Sequence, residues 1–258
     1  MKKHAILINS SDVKGESDLP GARVDINNWW NFLQSRLGGS WRSDQIHILN
    51  KPSLAELDCA LNTSGDGYCF VAFSGHGTEG SISLNDLHEF CPISRLKPKG
   101  KRGTVVIDSC RGISPVKSVT FLGEARATDV INDARAGRYT EFSEIVKKSD
   151  HALTASSADA LFDEELRLSS EGIVTMYSCA KGQSAGEDPK AGGYYTSALM
   201  DAANRFLDAD RKRSVLSTKE AHDHAASIVP APQAPVYTPS YLVFPFAVRS
   251  LGSQRFAF

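Results

Sequence analysis

Phe70-Val-Ala-Phe-Ser-Gly-His-Gly77 and Thr104-Val-Val-Ile-Asp-Ser-Cys-Arg-Gly112 are apolar runs that each end on a turn bearing a reactive side chain. Short apolar runs bounded by glycine and polar residues fit strands covered on both faces, as in a parallel sheet. Open α/β sheets place their active sites where such strands stop. A histidine, His76, and a cysteine, Cys110, delivered to the same end of one sheet can act as base and nucleophile. Gly75 and Gly77 leave the His76 ring little shielded and let the backbone approach a ligand. Each residue alone has a plainer reading, an incidental turn histidine and a buried structural thiol. Their occurrence together on consecutive strands favours acyl-transfer chemistry.

Strand and helix signals alternate outward from these two runs. His4–Asn9 reads as a first strand and residues 9–21, rich in Ser, Asp, Gly and Pro, as a loop. Val24, Ile26, Trp29, Trp30, Leu33 and Leu37 fall near helical spacing until Gly38-Gly39 stops the helix. Gln45–Leu49 is a second strand, and Ser53 caps a helix carrying Leu54, Leu57 and Leu61. Tyr68–Phe73 and Thr104–Ile107 follow as strands three and four. Residues 113–171 show only weak helical periodicity, around Tyr139–Val146, and read as a long mobile or inserted segment. Gly172–Tyr177 is a fifth strand, Tyr194–Leu207 and Thr218–Ile228 are helices, and Tyr241–Phe246 is a last strand that Pro245 places at an edge. The expected fold is α/β, a single mostly parallel six-stranded sheet with helices on both faces.

Composition narrows the function classes. With 258 residues, 41% of them apolar, the chain can bury one large core. A formal charge of −1 gives no electrostatic case for nucleic acid or for an anionic membrane, and Lys97-Pro-Lys-Gly-Lys-Arg102 reads as a solvated loop. Five cysteines without paired spacing argue against a disulfide framework and for a reducing compartment. No run approaches the ~18 apolar residues of a membrane span, and the expected localisation is cytoplasmic.

The two motifs resemble the caspase-like peptidases, a superfamily of caspases, metacaspases and bacterial relatives. Asp108-Ser-Cys110 is the metacaspase form and Arg111 the caspase form of the cysteine motif. The caspase histidine lies about 50 residues upstream of the cysteine, and here the interval is 34. Leu19-Pro-Gly-Ala-Arg-Val-Asp25 is similar to the metacaspase segment opening the first helix. Tyr177-Ser-Cys-Ala-Lys-Gly-Gln-Ser-Ala-Gly-Glu187, with Gly193-Tyr-Tyr-Thr196, resembles the family's fifth strand and following helix. The resemblance implies the caspase-like fold in one domain, residues 1–258. Within it 1–112 is the large-subunit-like part with the dyad, 113–171 a variable or processing segment, and 172–258 the small-subunit-like part.

What the resemblance implies for chemistry agrees with the residues. Cys110 attacks the scissile carbonyl, His76 assists, and the backbone N–H groups of Gly77 and Cys110 form the oxyanion hole. No third triad member is identifiable from sequence. Leu19 stands where Asp-cleaving caspases carry an arginine, whereas Asp25, Asp108 and Ser74 match the acidic S1 pocket of metacaspases that cut after Arg or Lys. Such a pocket favours Arg, with Lys second. A carboxylate ending an apolar strand, as Asp108 does, is costly to desolvate without a partner or a task. The plainer reading of Asp25 is a solvated carboxylate in the first turns of its helix.

Calcium dependence is not expected, because Lys117 stands where a family calcium ligand would lie and the 34-residue interval offers, besides Asp108 of the cysteine motif, only Glu79, Asp86 and Glu89. No other cofactor or metal is expected, and His222-Asp-His224 reads as solvated surface. Cys179 reads as structural or pocket-lining. Arg126, Arg135, Arg138, Lys147 and Lys148 are candidate self-processing sites. The expected partner is a protein or peptide substrate, with a pore-forming or regulatory protein in a bacterial defence or cell-death pathway as the dedicated target. The alternatives are an Asp-specific caspase-type peptidase and a catalytically silent scaffold of the same fold.

Overall fold

The computed structural model describes residues 1–63, 65, 67–112, 153–209 and 212–251. In chain order it forms β1 (Lys3–Ser10), α1 (Pro20–Gln34), β2 (Ile46–Asn50), α2 (Leu54–Asn62) and β3 (Tyr68–Gly75). The short pair β4 (Ser81–Ser83) and β5 (Phe90–Pro92) precedes β6 (Arg102–Asp108). Then come α3 (Ala155–Leu168), β7 (Gly172–Tyr177), β8 (Glu187–Asp188), β9 (Gly192–Gly193) and α4 (Tyr194–Asp208). The last elements are β10 (Val215–Ser217), α5 (Thr218–Ile228), β11 (Val236–Thr238) and β12 (Pro245–Val248).

The central sheet runs β11-β7-β6-β3-β1-β2. Its pairs are parallel except for β11 against β7, which is antiparallel. In β1, β3 and β6 successive side chains alternate between two apolar layers. Ala5, Leu7, Phe70, Ala72 and Val106 join the layer that includes α1, α3, α4 and α5. Ile6, Ile8, Cys69, Val71, Phe73, Val105 and Ile107 join the layer under α2 and the β4–β5 pair. This two-sided burial is why these strands read as unbroken apolar runs.

Helix α1 starts at Pro20, whose missing N–H costs nothing in a first turn. It buries Ile26, Trp29, Phe32 and Leu33 against the sheet, at roughly 1.5–3 kcal/mol for each large apolar side chain. Helices α2 and α5 each begin with a reciprocal capping box, Ser53 with Glu56 and Ser217 with Glu220.

The structure corrects three sequence expectations. The segment read as irregular up to residue 171 contains α3, whose apolar residues Ala158, Phe162 and Leu166 are buried. Lys3 ties α3 to β1: its buried ammonium reaches Asp159 at 2.6 Å and Asp163 at 3.1 Å and lies over the Trp41 and Phe162 rings. The weakly periodic stretch Tyr139–Val146 lies outside the described residues.

The last strand of the central sheet is Val236–Thr238, not Tyr241–Phe246. Pro245 instead opens β12, which pairs with β10 in a separate two-stranded sheet. The apolar run was a true burial signal, since Leu242, Phe244 and Phe246 are core residues, but burial does not require sheet pairing.

His222 is not solvated. It is buried, with Nδ1 2.7 Å from the Tyr195 hydroxyl, and burial pushes its pKa down to about 4. His224, half-buried, sits 2.7 Å from Asp201.

Candidate active site

Parallel pairing of β3 with β6 sets Ser74 opposite Asp108, so the turns that follow, one bearing His76 and the other Cys110, both leave the carboxyl end of the sheet from neighbouring strands. Gly77 is the point of closest approach. A Cβ built there would stand 2.6 Å from Ser109 Oγ and 3.0 Å from the Cys110 carbonyl oxygen. Only glycine lets the histidine turn press against the cysteine turn in this way. Three hydrogen bonds fix the cysteine turn: the Arg111 N–H donates to the Gln183 carbonyl, the Gly182 N–H to the Arg111 carbonyl, and the Glu79 N–H to the Gly112 carbonyl. Buried Cys179, with its thiol 3.4 Å from the Ser109 carbonyl oxygen, is structural.

The reactive groups themselves have other partners in this state. The Cys110 thiol is half-buried and 3.8 Å from the Ala185 carbonyl oxygen. His76 Nε2 is 2.6 Å from the Ser17 carbonyl oxygen, and Nδ1 is 3.2 Å from Glu16 Oε2. Glu16 lies in a loop rich in Ser, Asp and Gly, where no periodicity or motif marks it out. Sequence reasoning found no carboxylate beside His76, and the structure supplies one.

The sequence-derived pocket residues come together. Asp25, buried on α1, accepts the Ser74 hydroxyl at 2.6 Å and the Gly193 N–H at 2.8 Å. Asp108 accepts both the Thr196 hydroxyl, at 2.7 Å, and the Thr196 N–H, at 3.0 Å. A Cβ at Gly192 would land on Asp25, and one at Gly193 on Asp108. The Gly192-Gly193 pair therefore lets β9 close on both carboxylates. The solvated reading of Asp25 is excluded by its complete burial.

Burial, and then the charge of Asp108, push the Asp25 carboxyl well above the usual carboxylate range. Asp108 is raised too, chiefly by burial, although its Thr196 hydrogen bonds oppose the shift. Glu187 on β8 is a third acid at this point, unassigned by sequence although it closes one of the resembling segments. Its Oε2 accepts the Ala22 N–H at 3.1 Å in the first turn of α1, and burial raises its pKa. Among the described residues no lysine or arginine pairs with Asp25, Asp108 or Glu187.

The remaining candidates are placed as follows. Glu79 pairs with Lys181 at 3.0 Å, Asp86 with Lys51 at 2.9 Å, and Glu89 accepts from the Asn85 amide at 2.7 Å. Arg126, Arg135, Arg138, Lys147, Lys148 and Lys117 lie outside the described residues. No helix among the described residues is long and apolar enough to cross a membrane.

Comparison with known proteins bears on the fold and the family. Caspase-1 from Spodoptera frugiperda has a similar structure, with a TM-score of 0.54 over 92% of this chain and 86% of that one, at 14% identity. That likeness concerns the fold. No curated protein matches the sequence. The sequence pattern of the caspase domain spans residues 2–243, and with nearly the whole chain covered, this protein belongs to the caspase-domain family of cysteine peptidases.

Proposed function

We propose that the protein is a cysteine endopeptidase that uses His76 and Cys110 to cleave polypeptides after Arg, with Lys second. The observation that carries the specificity is the meeting of Asp25 and Asp108 at one buried point with no lysine or arginine paired to them among the described residues. Two buried carboxylates that repel one another are costly. A substrate guanidinium would supply the missing charge and could engage both through charge-assisted hydrogen bonds.

In the proposed reaction the Cys110 thiol proton passes to His76 and Sγ attacks the scissile carbonyl, forming a C–S bond, while the N–H groups of Gly77 and Cys110 receive the oxyanion. The tetrahedral intermediate collapses by breaking the C–N bond, and the leaving amine takes a proton from His76. Water then attacks the thioester and yields a proton to His76. The C–S bond breaks, the acid is released and the thiol is restored. The residues named suffice for this sequence without a cofactor. Self-cleavage at Arg126, Arg135, Arg138, Lys147 or Lys148 would follow from the same specificity, as would action on a dedicated protein partner.

A panel of fluorogenic peptides differing only at the residue before the cut tests the reading. Cleavage after Arg, lost in Cys110→Ala, is the expected result, and preference for Asp would overturn the specificity. Labelling of Cys110 by an arginyl chloromethyl ketone, abolished in His76→Ala, checks the dyad separately.

A further inference from the structure

The β8–β9 hairpin lays the Gly192-Gly193 backbone on both buried acids, yet its strands are only two residues long each. Pairing so short does not fix a hairpin in place. Its exposed tip, Pro189-Lys190, is tied from below by the Asp188 carboxylate, which accepts the Lys190 N–H at 2.7 Å and the Ala191 N–H at 3.0 Å. These bonds shape the turn without saying where it sits. Its position comes from the helices on either side.

Helix α1 holds the second strand at two points. Asp25 Oδ1 accepts the Gly193 N–H at 2.8 Å, and the Asn28 amide donates to the Ala191 carbonyl at 3.1 Å. Asp25 and Asn28 are three positions apart and share one face of the helix. An acceptor set against an N–H and a donor set against a C=O fix both the place and the direction of the strand between them. Ser197 on α4 donates to the same Ala191 carbonyl at 3.0 Å, so both lone pairs of that oxygen are engaged. The fit is close as well as polar. Gly192 has φ +104°, and a Cβ there would stand 2.3 Å from Asp25 Oδ1 and 3.4 Å from the Asn28 amide nitrogen.

We propose that Asn28 is a positioning residue for the specificity pocket: with Ser197 it holds the Ala191 carbonyl, and so keeps the Gly192-Gly193 backbone packed on Asp25 and Asp108. The role rests on the reading of those acids as the pocket for Arg. With the hairpin seated, water is kept off the carboxylates and a guanidinium meets them in a medium where charge-assisted hydrogen bonds are strong. With the hairpin loosened the acids are hydrated, and the same side chain gains less from them.

Asn28→Leu, close in size but without the amide, and Ser197→Ala test the proposal singly and together, with two readouts on the full chain. The first needs no substrate: it is the hydrogen-exchange rate of the Gly193 N–H, followed by NMR. The rate is expected to rise about fivefold in each single variant, and by more than the product of the two in the double variant, where the Ala191 carbonyl loses both donors. The Val248 N–H, which donates to the Leu37 carbonyl away from the hairpin, should keep its wild-type rate. The second readout is hydrolysis of arginyl and norleucyl peptides. In Asn28→Leu the KM for the arginyl peptide is expected to rise about fivefold with kcat little changed, and the norleucyl peptide to be cleaved as before. An unmoved Gly193 exchange rate overturns the proposal. An equal rise at Val248 overturns it too, because Asn28 would then steady the whole fold, and so does a KM rise shared equally by both peptides. A wild-type protein without preference for the arginyl peptide defeats the reading of the acids as an Arg pocket, and the exchange rates then decide the seating of the hairpin alone.

Discussion

Gly193 and Thr196, three residues apart at the start of α4, divide the two buried acids between them. The Gly193 N–H donates to Asp25, while the Thr196 N–H and hydroxyl donate to Asp108. Carboxylates that are 83 positions apart in sequence thereby share one short stretch of chain. Each gains hydrogen bonds to its ionised form, but burial outweighs them and both pKa values stay raised.

Substrate affinity should therefore depend on pH more steeply than an exposed acidic pocket would allow. Raised carboxyls keep their protons to higher pH than free ones, and a neutral pair attracts a guanidinium weakly. KM for an arginyl peptide is expected to fall as pH rises through the ionisation of the pair and to level off above it. Steady-state kinetics between pH 5 and 8 on arginyl and norleucyl substrates checks this, because the uncharged substrate should show no such fall.

Asp25→Asn should separate stability from function. A carboxyl whose folded pKa lies above its unfolded value binds more protons when folded, so stability drops as pH rises between the two values and stays reduced above them. The amide cannot ionise and escapes that penalty. The variant is expected to need more urea to unfold at pH 7 while losing ~10²-fold or more in kcat/KM for Arg substrates. Urea melts at pH 4 and pH 7 measure the first effect, with the gain smaller at pH 4.

Gly77→Ala should damage chemistry through contact with the cysteine turn. The new methyl group would press on Ser109 and on the Cys110 carbonyl, displacing both proposed oxyanion donors. A loss of ~10²-fold in kcat with destabilisation of about 1–3 kcal/mol is expected, read by kinetics and denaturant titration. Unchanged kcat would exclude Gly77 N–H from the oxyanion hole.

His222 should impose an acid limit on the stability of the fold. Its folded pKa of about 4 lies below the ordinary 6.5, so the unfolded chain binds the proton first as pH falls. The stability of the neutral buried ring is complete above pH 6.5 and is lost progressively down to about pH 4. The loss amounts to roughly 3 kcal/mol. His222→Gln, which can still accept from the Tyr195 hydroxyl, should flatten this part of the stability profile.

The parallel sheet was legible because its central strands are buried on both faces and carry little but apolar residues. The turns bearing His76 and Cys110 were legible because Ser74-Gly-His-Gly77 and Asp108-Ser-Cys110 each end such a strand. Helix α3 was missed because only Ala158, Phe162 and Leu166 of its apolar residues are buried, while Leu168 at its end is exposed. Glu187 and Glu16 escaped for a different reason. Their surroundings are made by chain segments distant in sequence, the first turn of α1 for one and the His76 and Ser83 side chains for the other. Local pattern records which face of a strand is dry, but not which loops will meet.

Strands β6 and β7, the last before the long connection and the first regular strand after it, are parallel neighbours in register from Arg102–Gly172 to Ile107–Tyr177. Severing the backbone between residues 113 and 152 would leave that seam of hydrogen bonds intact. The two pieces would still migrate together under native conditions and part only in denaturant. Maturation by a single nick would thus pass unseen in gel filtration and show itself as two bands on a denaturing gel.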